Sequence, residues 1–215
     1  PRNFEMYREM LADNHMLDQA RDFLLASGKL QALCYKEEIE AALRTPGFAG
    51  FQLLDLHDFP GQGTALVGVL DPFWDDKGYI THDEYRRFAG ETVPLLRMDK
   101  CVWANDETFA ADVEITHFGA APIPNARVVW SIADDGGRVV ALGEFKPAII
   151  PRQIAFPLGR IERPLGSLKC PAKYVVSVGI QGTPIENAWD IWVYSPAVDT
   201  DVPEGIHVVR RLDDQ

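Results

Sequence analysis

The sequence predicts an α+β chain in which a helical first part precedes an antiparallel β-sandwich. Three observations carry this. Apolar residues recur at helical spacing from Asn3 to about Thr45, a short continuous apolar run follows at 48–56, and the period changes to two from Leu96 onward.

In the helical part, Asn3 is a candidate N-cap, and Phe4, Tyr7, Met10 and Leu11 share one face. Leu17, Ala20, Phe23 and Leu24 continue it; after Gly28 it resumes with Leu30, Leu33, Cys34, Ile39, Ala42 and Leu43. Lys36, Glu37, Glu38 and Glu40 lie largely off this stripe and read as a solvated face. Arg44-Thr45-Pro46-Gly47 stops the helix. The run Phe48–Leu56 has the composition of a strand covered on both faces. Helix followed by buried strand is the rhythm of an α/β layer fold, yet one strand makes no parallel sheet.

A long loop from His57 to about Ile80 comes next, rich in Gly, Pro, Asp and aromatic residues; a stretch of that length in a compact domain is usually functional. Thr81-His82-Asp83-Glu84 is a capping box for a helix running to Ala89, and Gly90 ends it. Candidate strands then fall at Met98–Ala104, Thr108–His117, Ala126–Ala133, Val139–Phe145, Ile154–Ile161, Tyr174–Gly182 and Glu186–Tyr194, with turn residues between them. Short strands at this even spacing indicate an immunoglobulin-like sandwich, with Trp130 on the third strand as its buried tryptophan. Trp189 and Trp192, three apart, point to opposite faces, so at least one belongs to the core. The Asp199–Gln215 tail reads as loosely attached.

Of the 215 residues 47% are hydrophobic, enough for a packed core. A formal net charge of -11 argues against nucleic acid and anionic membranes as partners. No apolar stretch approaches the roughly 20 residues of a membrane span. Cys34, Cys101 and Cys170 lack zinc or disulfide spacing and read as small buried hydrophobes. The five histidines lack metal-ligand spacing, and no GxSxG elbow, phosphate-binding glycine loop or HExxH is present, so no cofactor or metal is expected. The chain opens on Pro1-Arg2-Asn3-Phe4 without methionine, as a piece of something longer would.

Chemistry concentrates in Asp55–Gly63, followed by Asp71, Phe73, Trp74, Asp75 and Asp76. These residues follow the carboxyl end of the apolar run, where barrels and open α/β sheets place their ligands. A sugar site needs carboxylates and amides for hydroxyls and an aromatic ring for the apolar sugar face, and Asp55, His57, Asp58, Gln62 and Trp74 supply these types. Asp58 and Asp75-Asp76 equally suit turn chemistry, whereas a carboxylate at Asp55 ending an apolar strand must be paired.

The segment Tyr35–Asp58, with its helix stop, Gly50-Phe51 and the two acidic residues Asp55 and Asp58, resembles the last barrel strand of glycoside hydrolase family 2, the β-galactosidase type. The family pattern there is Gly-Gly-Phe followed by Trp-Asp-Trp-x-Asp; this chain has Leu54-Asp55-Leu56-His57-Asp58, so the acidic positions match and the tryptophans do not. The loop Phe59–Trp74 and the strands through Tyr194 look like a bacterial subgroup of sugar-binding family 2-like hydrolases, and the likeness covers most of residues 30–197.

The resemblance implies a helical remnant of a (β/α)8 barrel over residues 1–96, an immunoglobulin-like antiparallel β-sandwich over 97–198 and a tail over 199–215. It implies a retaining glycosidase whose two glutamates stand about 5 Å apart on earlier strands, upstream of Pro1. Glu5 and Glu9 lie inside a helical pattern, so no catalytic residue is assigned within this chain. Its partners would be a carbohydrate substrate and the N-terminal part of the parent enzyme, which is expected to be periplasmic or secreted, as polysaccharide-degrading hydrolases often are. The missing tryptophans leave the sugar open. The alternative is a non-catalytic carbohydrate-binding or structural β-sandwich module.

Overall fold

A computed structural model describes residues 2–62, 66–197, 200–201 and 204–205. The predicted tail from Asp199 lies outside the described residues apart from those last four. The helical part is α1 (Arg2–Asp13), a 3-10 turn (Leu17–Gln19) and α2 (Ala20–Leu43), followed after the loop by α3 (His82–Ala89). Both halves of the predicted capping box form: the Thr81 hydroxyl accepts from the Glu84 amide, and the Glu84 carboxylate accepts from the Thr81 amide.

Ten strands follow among the described residues: β1 (Thr92–Arg97), β2 (Val102–Ala104), β3 (Thr108–His117), β4 (Ile123–Ala126), β5 (Val128–Asp134), β6 (Val139–Glu144), β7 (Ala148–Ile150), β8 (Gln153–Pro164), β9 (Ala172–Ile180) and β10 (Glu186–Tyr194). They form a three-stranded sheet, β1-β3-β8, a five-stranded sheet, β2-β10-β9-β5-β6, and the small pair β4-β7. All pairings are antiparallel except β2 with β10. The core is built from alternate residues: Phe109, Ala111, Val113 and Ile115 from β3, Val176, Val178 and Ile180 from β9, Trp189, Ile191 and Val193 from β10. Each fully buried large apolar side chain contributes about 1.5–3 kcal/mol, and this cluster is the main stabilising element. The fold is therefore mixed α and β, with sheets of β-sandwich character that are compatible with an immunoglobulin-like domain.

Three sequence expectations change here. Residues 48–56 form no strand; the segment is irregular, with Phe48, Phe51 and Leu54 exposed. An apolar run becomes a parallel strand only when neighbouring strands satisfy its backbone, and nothing described lies beside it to do so. The barrel remnant is accordingly not displayed as a barrel strand. Second, β1 lies ahead of the predicted strands, the first of which begins at Met98, and it contains Pro94. Here β1 is an edge strand, where a residue without an amide hydrogen is tolerated. Third, Cys34 and Cys101 are exposed rather than buried, and only Cys170 packs on the core. Trp130 is packed on the core but half-buried.

The two parts are tied by a face of α2 that shares only Ile39 and Leu43 with the predicted apolar stripe. The helix buries Gly28, Ala32, Ile39, Glu40 and Leu43. It leaves Phe23, Leu24, Leu30 and Leu33 exposed, and α1 buries nothing. Ile39 and Leu43 join Phe88 of α3 and Val93 and Leu95 of β1 in a second small core. Around it, Thr116 donates to the Leu43 carbonyl at 2.9 Å and Arg44 to the Leu96 carbonyl at 3.0 Å.

At the centre of this junction stands Glu40, with no exposed surface, which corrects its reading as part of a solvated face. Its carboxylate accepts from Lys36, from Arg44 at 3.2 Å, from Asn187 Nδ2 at 2.7 Å and from Trp189 Nε1 at 2.9 Å. Asn187 also donates to the Pro94 carbonyl at 2.9 Å, and its own oxygen accepts from Lys36 at 3.0 Å. Burial lowers the Lys36 ammonium below its ordinary range despite the opposing pull of Glu40. A buried carboxylate is tolerated because four donors replace its water.

Candidate functional site

The loop between α2 and α3 is tied into a knot by its own backbone. Leu70 donates to the Leu56 carbonyl at 3.1 Å, and its carbonyl accepts from the Asp58 amide at 3.0 Å. The strand-like contact His57–Leu70 is thus parallel, and Leu70 meets Asp76 on its other side in antiparallel fashion. Asp71 closes the turn that follows, its Oδ1 accepting from the amides of Phe73 (2.8 Å) and Asp75 (3.0 Å). That is the usual use of aspartate in turns.

Asp58 is the internal clamp of the knot. It is buried, and Oδ1 accepts from the Gly68 amide at 2.9 Å and from Lys77 Nζ at 2.7 Å. Lys77 also donates to the Gly68 carbonyl at 2.7 Å. Gly68 is required: a β-carbon there would lie 2.3 Å from the His57 carbonyl carbon and 2.5 Å from the Asp58 amide nitrogen. Tyr79 donates from its hydroxyl toward the Gly68 carbonyl (3.1 Å) and the Gln31 side-chain oxygen (2.9 Å), which anchors the loop to α2. Gln31 in turn donates to the Val67 carbonyl. Burial first, and the nearby Asp58 charge second, raise the Tyr79 phenol above its ordinary range, so it stays a neutral donor.

On the outside of the knot the sequence-predicted groups come together in part. His57 and Trp74 are ring partners, with centroids 4.5 Å apart and planes tilted by 42°. The His57 Nδ1 lies 2.7 Å from the Asp58 carbonyl, an oxygen that can only accept. Nδ1 therefore carries the hydrogen toward that carbonyl, which leaves Nε2 as the ring's remaining polar atom. Trp74 is 60% exposed. Asp55 is half-buried and Gln62 exposed.

Two of these residues have left-handed backbones without being glycine, Asp55 at φ 60° and Trp74 at φ 72°. Such conformations cost on the order of 1–3 kcal/mol and concentrate where a loop must present a side chain in a set direction. His57 and Trp74 thus form one ring pair on the outside of the loop, whereas Asp58 faces inward and serves the loop's own architecture. Sequence reasoning missed Lys77, Gly68, Tyr79 and Gln31. No spacing signals them, because they converge from three separate segments.

Among the described residues no three of His, Cys, Asp and Glu cluster as a metal site would require. No helix among them is long and apolar enough to cross a membrane. The His57–Trp74 pair offers an exposed aromatic face beside an imidazole.

A family model described as a domain of unknown function (DUF8488) matches residues 107–195, the span from β3 to β10. No curated protein matches the chain. Likenesses to solved structures are distant. Native Escherichia coli α2-macroglobulin shares 14% identity with a TM-score of 0.38, over 48% of this chain and 6% of that one. The Pseudomonas fluorescens alkylpurine DNA glycosylase AlkC, bound to DNA containing an abasic site analog, shares 14% with a TM-score of 0.39, over 53% and 34%. A Parabacteroides merdae β-glucuronidase shares 12% with a TM-score of 0.35, over 48% and 14%. The chain spans a minor part of each of these proteins. The sandwich is established by the sheet order and its alternating burial, which need no such likeness.

Proposed function

We propose that this chain is the closing part of a glycoside hydrolase acting on oligo- or polysaccharides by a retaining mechanism, and that its α2–α3 loop forms one wall of the sugar site. The observation that carries this reading is the loop's outer surface. There Asp55 and Trp74 hold strained left-handed backbones, and Trp74 lies against His57 with most of its ring in the open. Trp74 would stack on the apolar face of a pyranose, and His57 Nε2, Asp55 and Gln62 would bond its hydroxyls. Asp58 would act through the loop, keeping His57 in place. The acid/base and nucleophile glutamates would come from upstream, about 5 Å apart. Supporting this, α1, the first half of α2 and the 48–56 segment display Phe4, Tyr7, Met10, Phe23, Leu30 and Phe51, as a surface packed against further protein would.

The test is release of nitrophenol from a panel of aryl glycosides, comparing these 215 residues with a version extended upstream by a barrel's length. Turnover by the extended protein alone is expected. Equal turnover by the short chain would overturn the assignment of the catalytic pair to the upstream part.

A further inference from the structure

We propose that the outer face of the five-stranded sheet is a second carbohydrate-binding surface, in which Trp192 and Tyr194 form a stacking platform for the rings of a neutral polysaccharide. This does not rest on the hydrolase reading and would hold for a module with no catalytic role.

The platform follows from the alternation of β10. Asn187, Trp189, Ile191 and Val193 point into the core, so Asp190, Trp192 and Tyr194 share the outer face. Trp192 is 37% exposed and Tyr194 48%. Two residues along a strand places their β-carbons roughly 7 Å apart on one side of the sheet. Val102 of β2 lies beside Trp192 in register and is 55% exposed, so the apolar strip spans two strands. The ladder beneath is fixed, since Trp192 donates its amide to the Cys101 carbonyl at 2.8 Å and Asn105 donates to the Tyr194 carbonyl at 2.8 Å. These three side chains are neighbours on one face rather than scattered single residues, the arrangement that marks an interaction surface.

The rim defines the ligand. Lys173, opposite Trp192 on β9, lies 3.3 Å from Asp135 and 3.6 Å from Asp190. On the other side a shallow groove of about 570 Å³ passes Tyr194 and is edged by Lys100, Asp106 and Glu107. An apolar floor edged by charged hydrogen-bonding groups fits a pyranose, whose C–H face stacks on aromatic carbon while its equatorial hydroxyls reach outward. The rim holds four carboxylates (Asp135, Asp190, Asp106, Glu107) against two ammonium groups (Lys173, Lys100) on a chain of net charge -11, which repels uronate or sulfated glycans. The occupant is therefore a neutral polysaccharide.

The experiment is affinity electrophoresis of the 215-residue chain through gels containing xyloglucan, glucomannan or mixed-linkage β-glucan, with polygalacturonate as the anionic control. Retardation in at least one neutral polymer is expected, weakened about tenfold or more by Trp192→Ala or Tyr194→Ala, kept by Ile149→Ala, an exposed apolar residue in the separate β4-β7 pair, and absent with polygalacturonate. Trp192→Phe keeps a ring and should retain most of the binding, which carries the test if Trp192→Ala fails to fold. The proposal is overturned if no neutral polymer retards the chain, if polygalacturonate alone does, or if both platform variants bind as the parent does. Binding lost in Trp74→Ala and kept in the platform variants would place the sugar in the loop and equally refute it.

Discussion

Replacing Glu40 with alanine removes the acceptor that four buried donors share. Trp189 Nε1 is left with no partner, while Asn187 keeps the Pro94 carbonyl, Lys36 keeps the Asn187 oxygen and Arg44 keeps the Leu96 carbonyl. Breaking a buried ion pair by deleting one member costs about 3–5 kcal/mol, because the remaining charge is stranded away from water. The retained bonds to Asn187 and Leu96 place the expected loss at the lower end, about 3 kcal/mol. The pH dependence has a definite sign. Burial already holds Lys36 below its ordinary 10.5, so between its folded value and 10.5 the unfolded chain binds more protons and stability rises with pH. Without Glu40, which opposes that lowering, the window opens toward neutral pH. The penalty of Glu40→Ala should therefore shrink as pH rises toward 10.5. Urea unfolding of both proteins at neutral and alkaline pH, followed by tryptophan fluorescence, measures this. A loss below about 1 kcal/mol at neutral pH, or a penalty that grows with pH, would refute the buried hub.

Other expectations concern packing and the loop. Gly28→Ala should destabilise by about 1–3 kcal/mol in thermal unfolding, although alanine favours helices, because its β-carbon would lie 2.3–2.6 Å from the Tyr79 ring. The Tyr85 hydroxyl is buried without a partner among the described residues, and burial raises its phenol to about 12. Stability should fall as pH rises from 10 toward 12, where only the unfolded form ionises; Tyr85→Phe should lessen that fall and be neutral or stabilising at pH 7. Lys77→Met strands Asp58, so amide exchange at Gly68 and Leu70 should quicken while the strands of the sandwich stay protected.

Much of the sandwich was legible because burial on one face writes a period of two into the chain: β3 and β10 fall at their predicted limits, and Trp189 and Trp192 take opposite faces. The limits of α3 were legible for a similar reason, with Thr81 and Glu84 closing a local bond pair that needs no distant partner, whereas Asn3 lies inside α1 rather than capping it. What failed was inference about environment. The helices predicted by the apolar spacing form, but of that stripe α2 buries only Ile39 and Leu43, together with Gly28, Ala32 and Glu40. One signal for the hub was present: Lys36, Glu40 and Arg44 stand four apart, so one carboxylate can meet both cations. Its burial depends on Asn187 and Trp189, nearly 150 residues away, and local spacing cannot report that. Within the loop, Asp55, His57 and Trp74 were readable from their chemistry. The inward turn of Asp58 was not, since it is set by Gly68 and Lys77.

The central claim is that the outer surface of this loop touches sugar in a larger hydrolase. Its most direct test is kcat/KM of the upstream-extended protein on its best aryl glycoside, for the parent sequence, Trp74→Ala and Asp55→Asn, with Tm measured alongside. The account predicts a fall of about tenfold or more in each variant at little change in Tm, as removal of substrate-contacting groups requires. Values within about twofold of the parent for both variants would contradict it.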